Sequence, residues 1–384
     1  MQTVDYLRDL IGFDTTSVNP NRALIDYCAG VLRDAGAQVQ IIPDVTGTKA
    51  NLYATLGPVD VPGVLLSGHT DVVPVTGQDW THPPFALTHQ DGKLYGRGTA
   101  DMKGFVAAAL RIAVQAGQIP LTIPLHLALS YDEEVGCIGV RSLIDMLAIA
   151  PFRPRFCIVG EPTLMAVATG HKGKTAYRVT CTGVEGHSAL APLALNAIHL
   201  ATDMIMALRT LQAQVMQTGA QDPGYDVPYT TLHVGLINGG TVLNIVPNTC
   251  TFAFEIRHLP DDDPALLLAQ LRVAADRILA PVCAEFPQAD IRIDLTNAYP
   301  PLGTLPDADV VRFVKSLTGA NGTTKVAFGT EGGLFAARLG VPTVICGPGS
   351  MAQGHRPDEF VALEQLDRCD AMLDALLQRL RSGL

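Results

Sequence analysis

The sequence predicts a layered α/β domain interrupted by an inserted ferredoxin-like α+β domain, and three observations predict it. Helical and strand periodicities alternate over 1–173 and again over 297–384, the pattern of a helix-covered, mostly parallel sheet. Over 174–296 the rhythm changes to strand, helix, strand, strand, helix, strand, the order of the split β-α-β unit. Short polar clusters then fall at the ends of predicted strands, where open α/β sheets place their ligands. In chain order, the first domain reads as a helix over Asp26 to Gly36, strands over Gln38 to Ile42 and Asn51 to Leu56, and a buried apolar run at Gly63 to Ser67. A helix over Lys103 to Gln115, a strand over Leu125 to Ser130, a helix over Val140 to Ala148 and a strand over Phe156 to Val159 continue it. The insert reads as strands Ala176 to Thr182, Thr230 to Ile237, Thr249 to Arg257 and Ile291 to Leu295, with helices at Leu193 to Gln214 and Pro264 to Ile278. The first domain resumes with a helix at Asp309 to Leu317, a turn-rich FGTEGG, a strand at Thr343 to Cys346 and a final helix over Leu363 to Leu380.

Composition narrows the function. The 384 residues suffice for two domains, and 48% hydrophobic against 17% charged disfavours disorder. The net charge of −10, without any run of like charge, argues against nucleic acid. No stretch approaches the roughly 18 consecutive apolar residues of a membrane span, so a soluble chain with no membrane partner is expected. The opening MQTVDYLRDLIGF, with Asp5 and Asp9, reads as an amphipathic helix and not as a signal peptide. Eight scattered cysteines without a CxxC suit reduced core thiols, and a cytoplasmic location follows.

Five clusters carry chemistry: SGHTDVVP, GRGTADMKG, SYDEEVG, VGEPT and GSMAQGHRPDEF. Together they offer His69, Asp101, Glu134, Glu161 and His355, a nitrogen and oxygen donor set suited to zinc, cobalt or manganese. Five ligands serve two ions if one carboxylate is shared, and Asp101 is the natural bridge. Glu133 and Glu134 are consecutive at a strand end, so one can bind metal while the other stays free. Glu133 is then the expected acid/base, its pKa raised by burial. Asp71, two residues after His69, is placed to accept the second imidazole N–H and fix the tautomer. Taken singly, His69 also fits a satisfied core histidine, and Asp132 to Glu134 a solvated first helical turn.

These clusters, in this order and interrupted by a ferredoxin-like insert, resemble the M20 metallopeptidase and deacylase family over nearly the whole chain. The resemblance implies a zinc-peptidase-like catalytic domain carrying a lid and dimerisation domain. It implies two divalent ions, zinc with cobalt possible, one held by His69, Asp101 and Glu161 and the other by Asp101, Glu134 and His355. It implies hydrolysis of an N-acyl amino acid, N-acetyl-L-ornithine first, with succinyl-diaminopimelate, other acyl amino acids and dipeptides as rivals. In EGHSA, His187 corresponds to a histidine that reaches the partner's site and steadies the oxyanion, which implies a homodimer. Asn244 and Arg257 match positions that hold the substrate carboxylate, and Gly329 to Gly333, with Thr330 and Glu331, resembles the substrate loop. Glu331 is expected to meet a cationic substrate side chain, and Lys172 and Lys174 to be surface lysines at the hinge. A metal-free binding homologue is the rival of a different class.

Overall fold

The computed structural model describes residues 1–151 and 153–383; Phe152 and Leu384, the last residue of the expected first domain, lie outside the described residues. The chain divides into two units, Met1–His171 with Leu302–Leu384, and Lys172–Pro301. The crossings thus fall two residues before and five after the expected ones, because the insert's first and last strands in sequence run longer than their apolar patterns.

The first unit opens with α1 (Thr3–Ile11), α2 (Arg22–Asp34), β1 (Gln38–Pro43), β2 (Ala50–Leu56) and β3 (Val64–His69), followed by the short β4 (Thr88–Gln90) and β5 (Lys93–Tyr95). A kinked turn at Thr99–Lys103 leads into α3 (Gly104–Ala116), then β6 (Leu125–Ser130), α4 (Val140–Ala148), β7 (Phe156–Pro162) and β8 (Ala168–His171). The second unit carries β9 (Gly173–Thr182), β10 (Gly186–His187), α5 (Ala197–Thr218), β11 (Thr231–Gly239), β12 (Ile245–Val246), β13 (Thr249–His258), α6 (Pro264–Leu279) and β14 (Asp290–Tyr299). Back in the first unit come β15 (Leu302–Gly303), α7 (Asp309–Thr318), β16 (Thr324–Val326), α8 (Gly332–Leu339), β17 (Thr343–Gly347), β18 (Phe360–Ala362) and α9 (Leu363–Ser382).

The large sheet runs β1-β2-β6-β3-β7-β17-β8-β15, with β16 beside β8. Its centre, β6-β3-β7-β17, is parallel. β3, β6 and β7 are buried along their whole length, as strands covered on both faces must be. α3 is apolar nearly all round and buries almost every side chain, so it lies inside the helical layer and not at its rim. Gly160 lets β7 approach α3 closely, since a Cβ there would stand 1.9 Å from the Phe105 ring.

The second unit has its own core around Val179, Phe252 and Met204, and its four antiparallel strands are ordered β11-β13-β9-β14, the ferredoxin-like arrangement. α5 starts four residues later than the periodicity suggests. Ser188–Leu193 forms a 3₁₀ turn, and the Asn196 side chain caps α5 by accepting the Ile198 N–H at 2.9 Å. FGTEGG is also more than a turn, because α8 begins at Gly332 directly after Glu331.

Candidate metal centre

The five sequence clusters converge at the carboxyl end of the central strands. His69 ends β3 and is 1% exposed, Glu161 lies in β7, and Glu133 and Glu134 follow β6. Asp101 sits in the kinked turn before α3, with extended backbone angles of its own, and His355 in the turn preceding β18. His69 Nε2 is 3.0 Å from Asp101 Oδ1 and 3.6 Å from Glu161 Oε1. His355 Nε2 is 3.1 Å from Asp101 Oδ2 and 3.0 Å from Glu134 Oε2. Asp101 therefore presents one oxygen to each histidine. Ligand atoms of His69, Asp101 and Glu134 lie within 4.8 Å of one another, and so do those of His69, Glu133 and Glu161.

The electrostatics match a cation site. Burial pushes the Glu133 and Glu161 carboxyls well above the usual range, and neighbouring carboxylates push them further. Burial and Asp101 raise Glu134 to about 7. Hydrogen bonds to Asp101 and Glu134 raise His355 to about 10, and burial of His69 is outweighed by its contacts with Asp101 and Asp71. Burial opposes ionisation of Asp101 too, but the two imidazoles hold its carboxyl well below the usual range. Four carboxylates packed against two imidazoles are short of positive charge. Divalent ions would relieve that repulsion, so this donor set fits two of them.

Around the ligands the structure refines several expectations. The nearest acceptor for His69 Nδ1 is the Asp71 main-chain oxygen at 2.9 Å, with the carboxylate at 3.6 Å. The Asp71 carboxylate instead accepts Ser17 Oγ at 2.7 Å and the Glu133 and Glu134 N–H groups at 3.0 and 3.3 Å, so it orients the segment carrying both glutamates. Glu133 Oε1 accepts the Cys137 thiol at 3.3 Å. Thr330 is buried, and its hydroxyl accepts the Gly332 N–H. Glu331 departs from the expected substrate-facing anion. It is 1% exposed, and its two oxygens accept Ser130 Oγ at 2.5 Å and Ser67 Oγ at 3.3 Å, while burial raises it to about 7. A helix start buried against β3 and β6 is why a loop reading failed here.

The remaining expected residues lie in the second unit. His187 is exposed, with Nδ1 accepting the Ala189 N–H at 3.1 Å, and the exposed Asn244 gives its carbonyl to the Ser188 N–H. The Arg257 guanidinium is paired within its own sheet, with Glu255 at 2.9 and 3.3 Å and the Tyr299 hydroxyl at 2.8 Å. Lys172 is not the surface lysine expected: it is 4% exposed and donates to the Tyr229 carbonyl, because the hinge lysine folds into the second unit.

Sequence reasoning passed over Arg97, Gln78 and Glu359. Arg97 and Glu359 stand within the GRGTADMKG and GSMAQGHRPDEF clusters, but nothing local marks them as partners of each other. Buried at 0% and 1%, they form an ion pair at 2.5 Å. Gly98 of the same cluster has φ of 86°, so its glycine serves a left-handed turn.

Fold and site together define a metal-dependent hydrolase of linear amides. The model of peptidase family M20/M25/M40 matches residues 65–379, and the chain belongs to that family. It is 36% identical over 372 residues to an acetylornithine deacetylase of Myxococcus xanthus, covering 96% of this chain and 94% of the relative. It is also 36% identical over 367 residues to that of Proteus mirabilis, covering 95% and 92%. Among solved structures, the M20 family metallo-carboxypeptidase Sso-CP2 from Sulfolobus solfataricus shares the fold with a TM-score of 0.79 at 18% identity, over 100% of both chains. The Bacillus subtilis YXEP protein, a dinuclear metal-binding peptidase of family M20, does so with a TM-score of 0.70 at 14% identity, over 100% and 98%.

Proposed function

We propose that the protein hydrolyses N-acetyl-L-ornithine to L-ornithine and acetate, a step of arginine biosynthesis, as a cytoplasmic homodimer using two zinc ions or cobalt in their place. The observation that carries the chemistry is the Asp101 carboxylate, which faces His69 with one oxygen and His355 with the other. The acetylornithine deacetylases aligned over nearly the whole chain support the substrate.

In this reading His69, Asp101 and Glu161 would hold one ion, and Asp101, Glu134 and His355 the other. Bound there, the ions supply Lewis acidity that polarises the amide carbonyl and acidifies water. Glu133 accepts the proton of the attacking water and delivers it to the departing amine, a task suited to a carboxyl whose pKa burial has raised. Asp71 fixes the main chain of Glu133 and Glu134 for this exchange. The Arg257 guanidinium, with Asn244, binds the substrate carboxylate by exchanging it for Glu255. The partner subunit's His187 donates to the oxyanion.

The test is kcat/KM across acetylornithine, succinyl-diaminopimelate, acetylmethionine and a dipeptide, with acetylornithine expected to lead. Chelation should abolish the activity, and zinc or cobalt should restore it. Full activity after exhaustive metal removal would overturn the reading and favour a chain that uses this pocket without metal.

A further inference from the structure

Beside the candidate metal ligands lies a network, buried at Arg97 and Glu359 and half-buried at Gln78, that the chemistry above does not use. Arg97 donates from Nη1 to Glu359 Oε2 at 2.5 Å and from Nη2 to Gln78 Oε1 at 2.6 Å. Glu359 turns its other oxygen to the main chain, accepting the Ala100 and Asp101 N–H groups at 2.9 and 3.1 Å. Gln78 Nε2 donates to the His355 carbonyl at 2.9 Å. Three side chains thus run unbroken from the backbone of Asp101 to the backbone of His355. The one tryptophan of the chain, Trp80, closes the network, donating to Gln78 Oε1 at 3.0 Å with the Arg97 guanidinium 5.0 Å from its ring centre.

Stability alone explains this arrangement poorly. A buried ion pair gains little over apolar packing, and Arg97 Nε is buried with no hydrogen-bond partner. What the network does accomplish is geometric. His355 sits in a turn with φ of 62°, its side chain is 45% exposed, and no strand holds it, whereas Asp101 must face two histidines at once. We propose that Arg97, Gln78 and Glu359 are positioning residues that lock the separation of Asp101 and His355 and so set the metal affinity of the His355 half of the centre.

This inference rests on the dinuclear reading, and the experiment separates the two. Metal-free protein is titrated with Zn²⁺ by calorimetry, with Trp80 emission followed in parallel, for wild type, Gln78→Glu and Gln78→Ala. Gln78→Glu keeps an acceptor for Arg97 and Trp80 but loses the N–H that holds His355, and Gln78→Ala loses both. Both variants should weaken one of the two binding steps by about 10- to 100-fold, the cost typical of removing a ligand's outer partner, and leave the other step and the metal-free melting temperature unchanged. Two wild-type steps that persist unaltered in both variants would overturn the positioning role alone, as would weakening in Gln78→Ala only. Wild-type protein that binds fewer than two ions would overturn the dinuclear reading and this inference with it.

Discussion

The two halves of the metal pocket are built by different means. His69 extends from a fully buried strand, is 1% exposed, and is flanked by β6 and β7, which deliver Glu133, Glu134 and Glu161 beside it. His355 extends from a turn, is 45% exposed, and owes its backbone placement to Gln78. The sheet thus fixes one half as part of the global fold, while the other is held by a few side-chain hydrogen bonds. Damage to the sheet half should appear as lost stability, and damage to the turn half as lost metal.

The largest effect is expected at Glu133, which sharpens where the sheet half ends and the reacting groups begin. Its carboxylate lies within ligating range of His69 and Glu161, yet it is read here as the proton carrier. Glu133→Gln should lower kcat by about 10²- to 10⁴-fold, the usual contribution of a general acid/base, with KM little changed and both ions retained. Metal analysis beside the kinetics decides the matter: loss of one ion in this variant would make Glu133 a ligand of the His69 half.

A direct contrast comes from the two histidines in metal-free protein unfolded by urea. His69→Ala takes a fully buried imidazole from Glu161 and from Asp101, which keeps only His355, and should cost roughly 3 kcal/mol, as breaking a buried pair does. His355→Ala also takes a partner from the buried Asp101 and Glu134, but its own ring is 45% exposed and water can reach the gap, so it should cost less, about 1 to 2 kcal/mol. Equal losses would erase the distinction between the halves.

The same contrast governs what was legible in the sequence. Strands β6 and β17 and helix α4 follow from apolar periodicity because burial on both faces, or along one stripe, writes itself into residue choice. The five candidate ligands stood out because each belongs to a polar cluster that follows a strand, where a core residue would otherwise be apolar. Glu331 was misread because a buried carboxylate satisfied by Ser67 and Ser130 has no local signature; its partners are 201 and 264 residues away. Arg97 and Glu359 escaped for the same reason, joined across 262 residues. The short β8 and β15, which pair with each other across the insert, carry too few residues for periodicity to register.

The subtlest readout, a difference in slope between two pH curves, concerns the sheet half alone. His126 lies in β6 opposite Leu65 of β3, is 8% exposed, and has Nδ1 2.9 Å from the Thr55 hydroxyl. Burial pushes its imidazole down to about 4 from 6.5. The unfolded chain therefore takes up a proton near pH 6.5 that the folded chain refuses until about pH 4, so folded stability declines as pH falls through that window. Between pH 6.5 and 5 the expected loss is roughly 1.6 kcal/mol, short of the full slope of about 1.4 kcal/mol per pH unit because the unfolded imidazole is only half protonated at pH 6.5. His126→Asn keeps a polar atom near Nδ1 for Thr55 and cannot titrate, so its urea midpoint should fall less over this range than the wild type's. Parallel curves for the two proteins would mean that water or movement in β6 lets the folded chain accept the proton, and the sheet half would then be less rigid than its burial requires.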